Sequence, residues 1–374
     1  MAIYIKIYYN NAMLTINYGK DWIKTAYDLL AASDISSYLH KNISVSIKPN
    51  LVTERSSCEG ATTHPEVIEG IIRFLNDFGI QKIRVIENSA CGHNTKLAFK
   101  NCGYEPLQKK YGIELLDLRD NRFISLKHDN IDFQISETAL KSDFLINVPA
   151  LKAHSQTRLT CCMKNLKGCM PQSEMRRFHA LGLHKPIAGL NVLLKTHYCV
   201  VDGICGDLSF EEGGTPVEAN RVIAGQNPLL VDSYCAELIG YNPDDIGYLS
   251  YGKEYGVGDY YNSKTKIVEL NADYKPVCQL KNPGKPIPRI ADKYSHLIEE
   301  DSACSVCYAA LIFALHRKGG SVKGRKICIG QGFKGKSASI NGGDCLGIGA
   351  CAQGFKNYVK GCPPKAVDIL PFLS

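Results

Sequence analysis

The sequence lacks any uninterrupted apolar run that approaches the length of a membrane span. Between Met1 and Lys20 it also lacks the charged head, apolar stretch and small-residue cleavage site of a signal peptide, because polar residues interrupt that segment. No G-x-G-x-x-G follows a predicted strand and opens a helix, so no flavin or nicotinamide fingerprint is visible. These absences predict a cytoplasmic protein with no membrane partner, in which thiols stay reduced.

The chain also lacks a large excess of charge of either sign. The net charge is +7 at pH 7 over 374 residues, which is typical of a solubilising surface. The basic residues are scattered and are not interleaved with aromatics, so we expect no nucleic-acid partner. Their one local concentration, from Lys152 to Lys167, indicates an anion pocket instead.

Cysteine, by contrast, is abundant: the chain has 16. A C-x-x-C pair followed by single cysteines, the last before proline, is typical of a chain that holds an iron–sulfur cluster. Zinc, disulfides or unrelated buried thiols are the alternatives. We therefore predict one [4Fe-4S] cluster near the C-terminus, and an anaerobic or microaerobic host would fit such thiol usage. Six cysteines follow residue 300, namely Cys304, Cys307, Cys328, Cys345, Cys351 and Cys362.

The first two-thirds of the chain alternates strand-like and helix-like segments, which predicts an α/β fold with a mostly parallel sheet covered by helices. The prolines and glycine of Asn282 to Arg289 suggest a linker. We expect an α/β domain over residues 1–285 and a small cysteine-rich iron–sulfur module over 286–374. In that module we expect a helix over 305–317, a strand near Ile327 and then glycine-rich loop. The earlier predicted strands are 43–48, 83–86, 144–147 and 200–202, and the predicted helices are 64–79, 95–102 and 228–239.

Polar residues recur where the predicted strands end. Ligands gather at the carboxyl ends of strands in open parallel sheets, although each such residue could equally be a helix cap or a turn residue. We therefore expect these residues to line a common site. They are Lys48, Asn50, Glu87, Asn88, Asn147 and Asp202.

The densest group of candidate site residues lies between residues 147 and 169. Lys152, Lys164 and Lys167 would hold a phosphate or carboxylate, and His154 could move a proton near neutral pH. A solvated basic helix face is the alternative, but cysteines and a methionine lie among these lysines. A lysine beside a cysteine favours the thiolate, so Cys161 or Cys162 could be reactive, with small buried thiols as the default.

Three further features have weaker interpretations. Gly330 to Ser337 matches G-x-x-x-x-G-K-S, but the residues after it are poor helix material, so we expect no nucleotide site there. The glycine-rich element from Gly203 to Pro216 suggests a mobile loop that approaches a ligand with backbone amides. Asp232 is expected to be a charge favoured by the N-terminus of the 228–239 helix.

Several of these segments together resemble the family called "domain of unknown function 362", over roughly residues 40 to 255. Many members of that family carry a C-terminal iron–sulfur module, in one branch with C-x-x-C, Gly-x-Cys and a terminal Gly-Cys-Pro-Pro. The resemblance implies Cys304, Cys307, Cys351 and Cys362 as ligands, with Cys345 an alternative to Cys351. The matching segments are 47–51, 64–67, 147–154, 163–168 and 201–203.

The leading functional hypothesis is an iron–sulfur oxidoreductase that passes electrons to a small carboxylated or phosphorylated substrate, with ferredoxin or flavodoxin as the electron donor. A non-redox lyase or hydratase with a labile iron is one alternative, and a non-enzymatic iron–sulfur binding or maturation protein is another. The candidate catalytic residues are His154, Lys152 and Lys164, and the candidate anion-binding residues are Lys48, Asn50, Asn147, Asn165, Lys167 and Asp202.

Overall fold

The computed structural model describes residues 13–274, 286–320, 326–336 and 345–373. Within these ranges the strands are β1 Met13–Tyr18, β2 Ser44–Pro49, β3 Lys82–Glu87, β4 Glu114–Asp117, β5 Phe123–His128, β6 Ile131–Ser136, β7 Phe144–Val148, β8 Lys152–His154, β9 Arg158–Thr160, β10 Tyr198–Asp207, β11 Pro216–Gly225, β12 Lys266–Leu270, β13 Ile298–Glu300, β14 Lys326–Ile329, β15 Cys345–Ile348 and β16 Asn357–Val359. The α-helices are α1 Trp22–Ala32, α2 Pro65–Phe78, α3 Thr95–Asn101, α4 Glu105–Tyr111, α5 Glu137–Leu140, α6 Cys162–Asn165, α7 Gln172–Ala180, α8 His184–Leu193, α9 Pro228–Leu238, α10 Gly247–Glu254, α11 Ser305–Lys318 and α12 Ala366–Ile369.

The large sheet has eight described strands in the order β12-β1-β11-β10-β7-β2-β3-β4. Strand β11 runs antiparallel to both of its neighbours, and the other pairs are parallel. Every residue of β7 and β10 is buried, as expected for strands that are covered on both faces. The prediction of a mostly parallel α/β sheet is confirmed.

Two apolar cores cover the two faces of this sheet. One contains the buried sides of α1, α2, α3 and α4, and the other contains those of α6, α7, α8, α9 and α10. Helix α2 shows how the sequence sets these elements. Pro65 takes its first position, where a missing N–H costs nothing, and Gly79 ends it with a φ of 95°. The predicted 64–79 helix is therefore correct to within a residue.

A second, four-stranded sheet lies near the C-terminus, in the order β13-β14-β15-β16 with all pairs parallel. Helix α11 packs on it and contributes most of a further apolar core. Gly330 follows β14 with a φ of 128°, and a Cβ there would lie 2.0 Å from the carbonyl oxygen of Asp301. The expectation of glycine-rich loop beyond Ile327 was wrong for β15 and β16, which are short strands that pair with their neighbours.

The β8–β9 hairpin contacts the start of α11 through Gln156. Its Nε2 donates to Glu300 Oε1 at 2.6 Å and to the carbonyl of Ala303 at 2.9 Å. Ser305 Oγ donates to Gln156 Oε1 at 2.8 Å. These hydrogen bonds hold the Cys304 end of α11 against the large sheet. The predicted division at residue 285 borders residues 275–285, which lie outside the described ranges, and it stays a prediction.

Candidate functional site

A cavity of about 880 Å³, counting the space that opens to solvent, lies at the carboxyl ends of β2 and β3. The β8–β9 hairpin, the turn that follows α6, helix α7 and the start of α11 complete its walls. The position agrees with the rule that ligands gather at the carboxyl ends of parallel strands. Among the residues that line it are Lys48, Asn50, Glu87, Asn88, Cys91, Lys152, His154, Lys164, Asn165, Lys167, Arg176, His179, Glu211 and Cys304.

The floor of this cleft is a buried ion pair between β2 and β3. Lys48 Nζ lies 2.9 Å from both carboxylate oxygens of Glu87, and it also donates to the carbonyl of Pro49 at 2.7 Å and to Asn165 Oδ1 at 3.3 Å. Glu87 accepts further hydrogen bonds from the backbone N–H groups of Leu51 and Asn88. The ammonium therefore has its partners inside the protein, and the predicted contact of Lys48 with a substrate stays a prediction.

Two predicted asparagines extend this floor. Asn165 Nδ2 donates to Asn147 Oδ1 at 2.8 Å, and Asn147 Nδ2 donates to the carbonyl of Cys162 at 2.8 Å. Asn165 and Asn50 line the cleft, whereas Asn147 lies beneath it. Asn50 Oδ1 accepts from the N–H of Val52 at 3.2 Å and so shapes the turn after β2. The side-chain amides therefore hydrogen-bond to neighbouring groups of the protein and support the floor of the cleft.

Asp202 lies away from the cleft lining, at the start of α2. It is fully buried, and its Oδ2 accepts from the backbone N–H of His64 at 2.7 Å and lies 2.8 Å from His64 Nδ1. Burial opposes a charge on His64, but the Asp202 carboxylate outweighs it and raises the pKa of His64. Asp202, which its position at a strand end led us to predict as an anion ligand, is thus paired with His64.

Besides Lys48, the cleft contains three lysines whose pKa values burial lowers. Lys152 Nζ donates to the carbonyls of Ala61 and Glu211 at 2.6 and 2.7 Å, and burial lowers its pKa to about 8. Burial likewise lowers the pKa of Lys167 to about 8. For Lys164, burial and then the neighbouring Lys167 and Lys152 lower the pKa well below its usual value. A bound anion would oppose each of these effects, because it stabilises the charged form of a lysine.

Two histidines add neutral hydrogen-bonding groups to the walls. His154 Nδ1 accepts from the backbone N–H groups of Gln156 and Thr157 at 3.1 and 3.3 Å, so the neutral ring carries its proton on Nε2. Burial, and then Lys164 and Lys167, hold the pKa of His154 well below 6.5. At neutral pH this residue therefore offers an Nε2–H. His179 Nε2 lies 3.3 Å from Ser305 Oγ, and burial lowers its pKa in the same way.

Helix α7 supplies Arg176 and His179, which the sequence analysis missed. Arg176 Nη1 donates to Cys91 Sγ at 3.7 Å and lies beside the Lys167 side of the cleft. Their i, i+3 spacing would have indicated a shared helix face. No local signal links that face to the lysines, because α7 reaches the cleft only through tertiary packing.

The four cysteines implied as cluster ligands lie together. Cys304 and Cys307 begin α11, with their thiols in hydrogen-bond contact, and Cys307 also interacts with Cys351 and Cys362. The Cys307 contact, with Arg176 and Lys167 beyond it, lowers the pKa of Cys304 to about 7 against the opposing effect of burial. Cys345 instead pairs with Cys328 in a separate small core.

The surroundings of these thiols suit a negatively charged cluster. The N-terminus of the 14-residue helix α11 favours negative charge at Cys304 and Cys307. Gln331 Nε2 donates to Cys304 Sγ at 3.8 Å, and Lys334 lies near both Cys304 and Cys351. Hydrogen bonds to sulfur and nearby cations are the means by which proteins tune such clusters. The residues present therefore fit a [4Fe-4S] group.

The weaker sequence interpretations have mixed outcomes. Asp232 lies in the 228–239 helix as expected, but its fully buried carboxyl group accepts from the backbone N–H groups of Cys162 and Met163 at the start of α6, and not from those of its own helix. The glycine-rich element approaches the cleft with the carbonyl of Glu211, which accepts from Lys152, rather than with amides. Gln331–Phe333 form a single 3-10 turn. Ser337 lies outside the described residues, so the exclusion of a nucleotide site stays a prediction.

Two known proteins are similar to part of this chain. "Thylakoid-associated protein sll1697" of Synechocystis sp. is 26% identical over 213 residues, 54% of this chain and 64% of that protein, so the chain spans less than two-thirds of this relative. A solved structure, the lactate racemase apoprotein from Thermoanaerobacterium thermosaccharolyticum, matches with 12% identity and a TM-score of 0.40, covering 60% of this chain and 57% of that one.

The helices were also compared with the length and apolar character that crossing a bilayer requires. Of those in the described ranges, none meets both requirements.

A family model, described as "Domain of unknown function (DUF362)", matches residues 45–237. This match covers β2, the Lys48–Glu87 floor, the lysines of the cleft and α9, and it confirms the resemblance drawn from the sequence. The chain belongs to the family of proteins with domain of unknown function 362.

Proposed function

We propose that this protein is an iron–sulfur oxidoreductase that holds one [4Fe-4S] cluster through Cys304, Cys307, Cys351 and Cys362 and acts on a small anionic substrate. One observation carries the proposal: Cys304 belongs to the group of four thiols and also lines the lysine cleft. The electron-accepting substrate and the ligand sulfur would therefore share one cavity. This proximity matters because electron delivery slows steeply with distance.

The cleft favours a phosphate or carboxylate as the substrate group. Lys164 Nζ has a single hydrogen bond among the described residues, to Thr160 Oγ1 at 3.3 Å, and Lys167 extends into the same cavity. Arg176 adds a guanidinium, whose planar fork matches carboxylate and phosphate oxygens. A substrate anion held here would receive charge-assisted hydrogen bonds in a water-poor space, where they are strongest.

Two side chains of the cleft, Lys152 and His154, can also donate protons. Lys152, with a pKa of about 8, exchanges a proton near neutral pH far more readily than an ordinary lysine does. His154 holds its proton on Nε2 and can direct it at a substrate oxygen. A bound cluster would supply single electrons. We assign Lys152 as the proton donor, Lys164 and Lys167 as anion ligands, and His154 as a neutral donor.

The exposure of Cys362 supports the electron-transfer part of the proposal, because a protein partner could approach the cluster there. A ferredoxin or flavodoxin donor and a cytoplasmic location belong to the same proposal. The lyase and maturation alternatives have no comparable observation in their favour.

The test is anaerobic purification followed by iron and acid-labile sulfide analysis of matched variants. We expect wild-type protein and Cys345→Ser to contain about four irons per chain and to bleach with dithionite, and Cys362→Ser to lose most of that iron. Cys345→Ser is the control because Cys345 lies with Cys328 instead. Equal iron in both variants would overturn the ligand assignment, and colourless wild-type protein without sulfide would overturn the proposed function.

A further inference from the structure

A second group of thiols lies in the core behind the cleft and takes no part in the proposed function. Cys161, Cys162, Cys199 and Cys235 are fully buried, as is the carboxylate of Asp232. They come from three places in the chain: the junction of β9 with α6, strand β10 and helix α9. The thiol sulfurs of Cys161 and Cys162 and one carboxylate oxygen of Asp232 lie within 4.8 Å of one another.

The spacing of the two adjacent sulfurs is that of ligands of a single ion. Cys161 Sγ and Cys162 Sγ are 3.9 Å apart. Two thiolates that each bind zinc at about 2.3 Å in a tetrahedral arrangement lie about 3.8 Å apart. A disulfide would need a sulfur–sulfur distance of only about 2.05 Å. The geometry therefore matches shared coordination.

Helix α9 offers two of the donors from one face. Asp232 and Cys235 are separated by three residues, so both side chains project from the same side of the helix. The Cys235 thiol is in hydrogen-bond contact with Cys161, and the Cys199 thiol is in hydrogen-bond contact with Cys162. The compact group is Cys161, Cys162 and Asp232, and Cys235 joins it through its contact with Cys161. Cys199 is a neighbour of the Cys162 sulfur.

Hydrogen bonds fix the carboxyl group of Asp232 beside the sulfurs. It accepts from the N–H groups of Cys162 and Met163 at 2.7 and 2.9 Å, and it forms no ion pair within the part of the chain that the structure describes. The segment that carries the Cys161 and Cys162 thiols therefore also holds the carboxyl group in place.

We propose that Cys161, Cys162, Cys235 and Asp232 form a buried structural site for a thiophilic divalent cation, with Zn²⁺ the ion that suits three sulfurs and one oxygen. All four positions come from the protein, which is the mark of a structural site rather than a catalytic one. The thiols release their protons on binding. Because Cys161 and Cys162 begin the segment that carries Lys164 and Lys167, the ion would fix the lysines of the cleft.

The test starts with wild-type protein, because the site is closed to solvent. The anaerobically purified protein, with its iron in place, is passed through a desalting column, and its zinc and iron are measured together. We expect about one zinc per chain beside the iron of the cluster, because the four cluster cysteines are then occupied and cannot take up zinc. Cys362→Ser should keep this zinc while it loses iron, so the two proposals can fail separately.

Two variants and a control complete the test. Asp232→Asn and Cys235→Ser should bind Zn²⁺ at least tenfold more weakly, whereas Cys102→Ser should retain it. Cys102 is a suitable control, because it is a buried thiol that donates to the carbonyl of Arg55 at 3.1 Å, outside the thiol group. If a variant fails to fold, the metal content of the wild-type protein decides. Wild-type protein that is purified with its iron but without zinc, or Cys235→Ser with undiminished zinc, would overturn the site.

Discussion

The lysines of the cleft differ in whether their ammonium groups already have hydrogen-bond partners within the protein. Lys48 and Lys167 both line the cavity, yet Lys48 is bound by Glu87, Pro49 and Asn165. For Lys167, the described residues supply no comparable set of hydrogen bonds. This contrast separates a scaffolding cation from one that is available to a ligand. Two predictions follow from the contrast at this scale.

Removing the Lys167 ammonium should weaken anion binding. A hydrogen bond to a charged group contributes about 1.5–3 kcal/mol, so Lys167→Met should raise the Kd for sulfate by about ten- to a hundredfold. Isothermal titration calorimetry at pH 7 measures this. Lys185→Met is the matched control, because Lys185 is exposed and pairs loosely with Asp129 at 3.9 Å. Equal affinities in the two variants would contradict the assignment.

Anion affinity should fall as pH rises through about 8. The pKa values of Lys152 and Lys167 are lowered to about 8, so both ammonium groups are present below that pH and are lost above it in the free protein. Each lysine that must regain a proton on binding costs up to about tenfold in affinity per pH unit. Sulfate is a suitable probe because its charge does not change in this range. Affinity that stays constant to pH 10 would show that these lysines titrate normally.

The sequence predicted which residues approach the cleft better than it predicted what they do there. Lys48, Asn50 and Glu87 were predicted to lie together because they follow the ends of strands, and all three line the cleft. It could not show that Glu87 binds Lys48, because that contact depends on the register between two strands 39 residues apart in the chain. The same limit applies to Asp202, whose partner His64 is fixed by tertiary packing.

At the scale of elements, the Lys48–Glu87 pair joins the ends of β2 and β3. Breaking one side of a buried pair costs about 3–5 kcal/mol, since an uncompensated charge remains. Glu87→Gln should lower the free energy of unfolding by about that amount in guanidinium denaturation at pH 7. The control is Asp28→Asn, which removes the exposed Lys24–Asp28 pair on α1 and should cost less than about 0.5 kcal/mol.

Elements were predictable where local chemistry marks their ends. Pro65 and Gly79 bound α2, and Pro228 begins α9, as the sequence indicated. Strands β15 and β16 escaped prediction because they have four and three residues and are surrounded by glycine. Their pairing with β14 supplies the hydrogen bonds that such short segments cannot provide alone.

Because β15 and β16 were not predicted, the sequence could not decide whether Cys345 or Cys351 is the third cluster ligand. Cys345 is the first residue of β15, and Cys351 follows its last. Cys304 and Cys362 likewise follow β13 and β16. The grouped thiols therefore lie beyond the carboxyl ends of a parallel sheet, and Cys345 lies at the opposite end of its strand. Without the strands, this distinction is invisible in the sequence.

At the scale of the whole molecule, the contact between hairpin and helix start is concentrated in Gln156. Gln156→Ala removes its hydrogen bonds to Glu300, Ala303 and Ser305. At about 0.5–1.5 kcal/mol each, the loss of these three hydrogen bonds should lower the free energy of unfolding by about 1.5–4.5 kcal/mol. Hydrogen exchange should also speed up at the first turn of α11.

The control for this prediction is Gln134→Ala, whose side chain donates to Ser125 Oγ at 2.6 Å on the exposed β5–β6 hairpin. It should leave exchange in α11 unchanged. Unchanged exchange at α11 in Gln156→Ala would show that the helix start is held by other contacts.

The unequal exposure of the grouped thiols has a kinetic consequence. Cys362 faces solvent, whereas Cys304 faces the cavity. On the proposed function, a bulky redox partner and a small anion would therefore use separate entrances and would not compete for one site. In steady-state rates measured with both varied, neither reactant at saturation should inhibit the other.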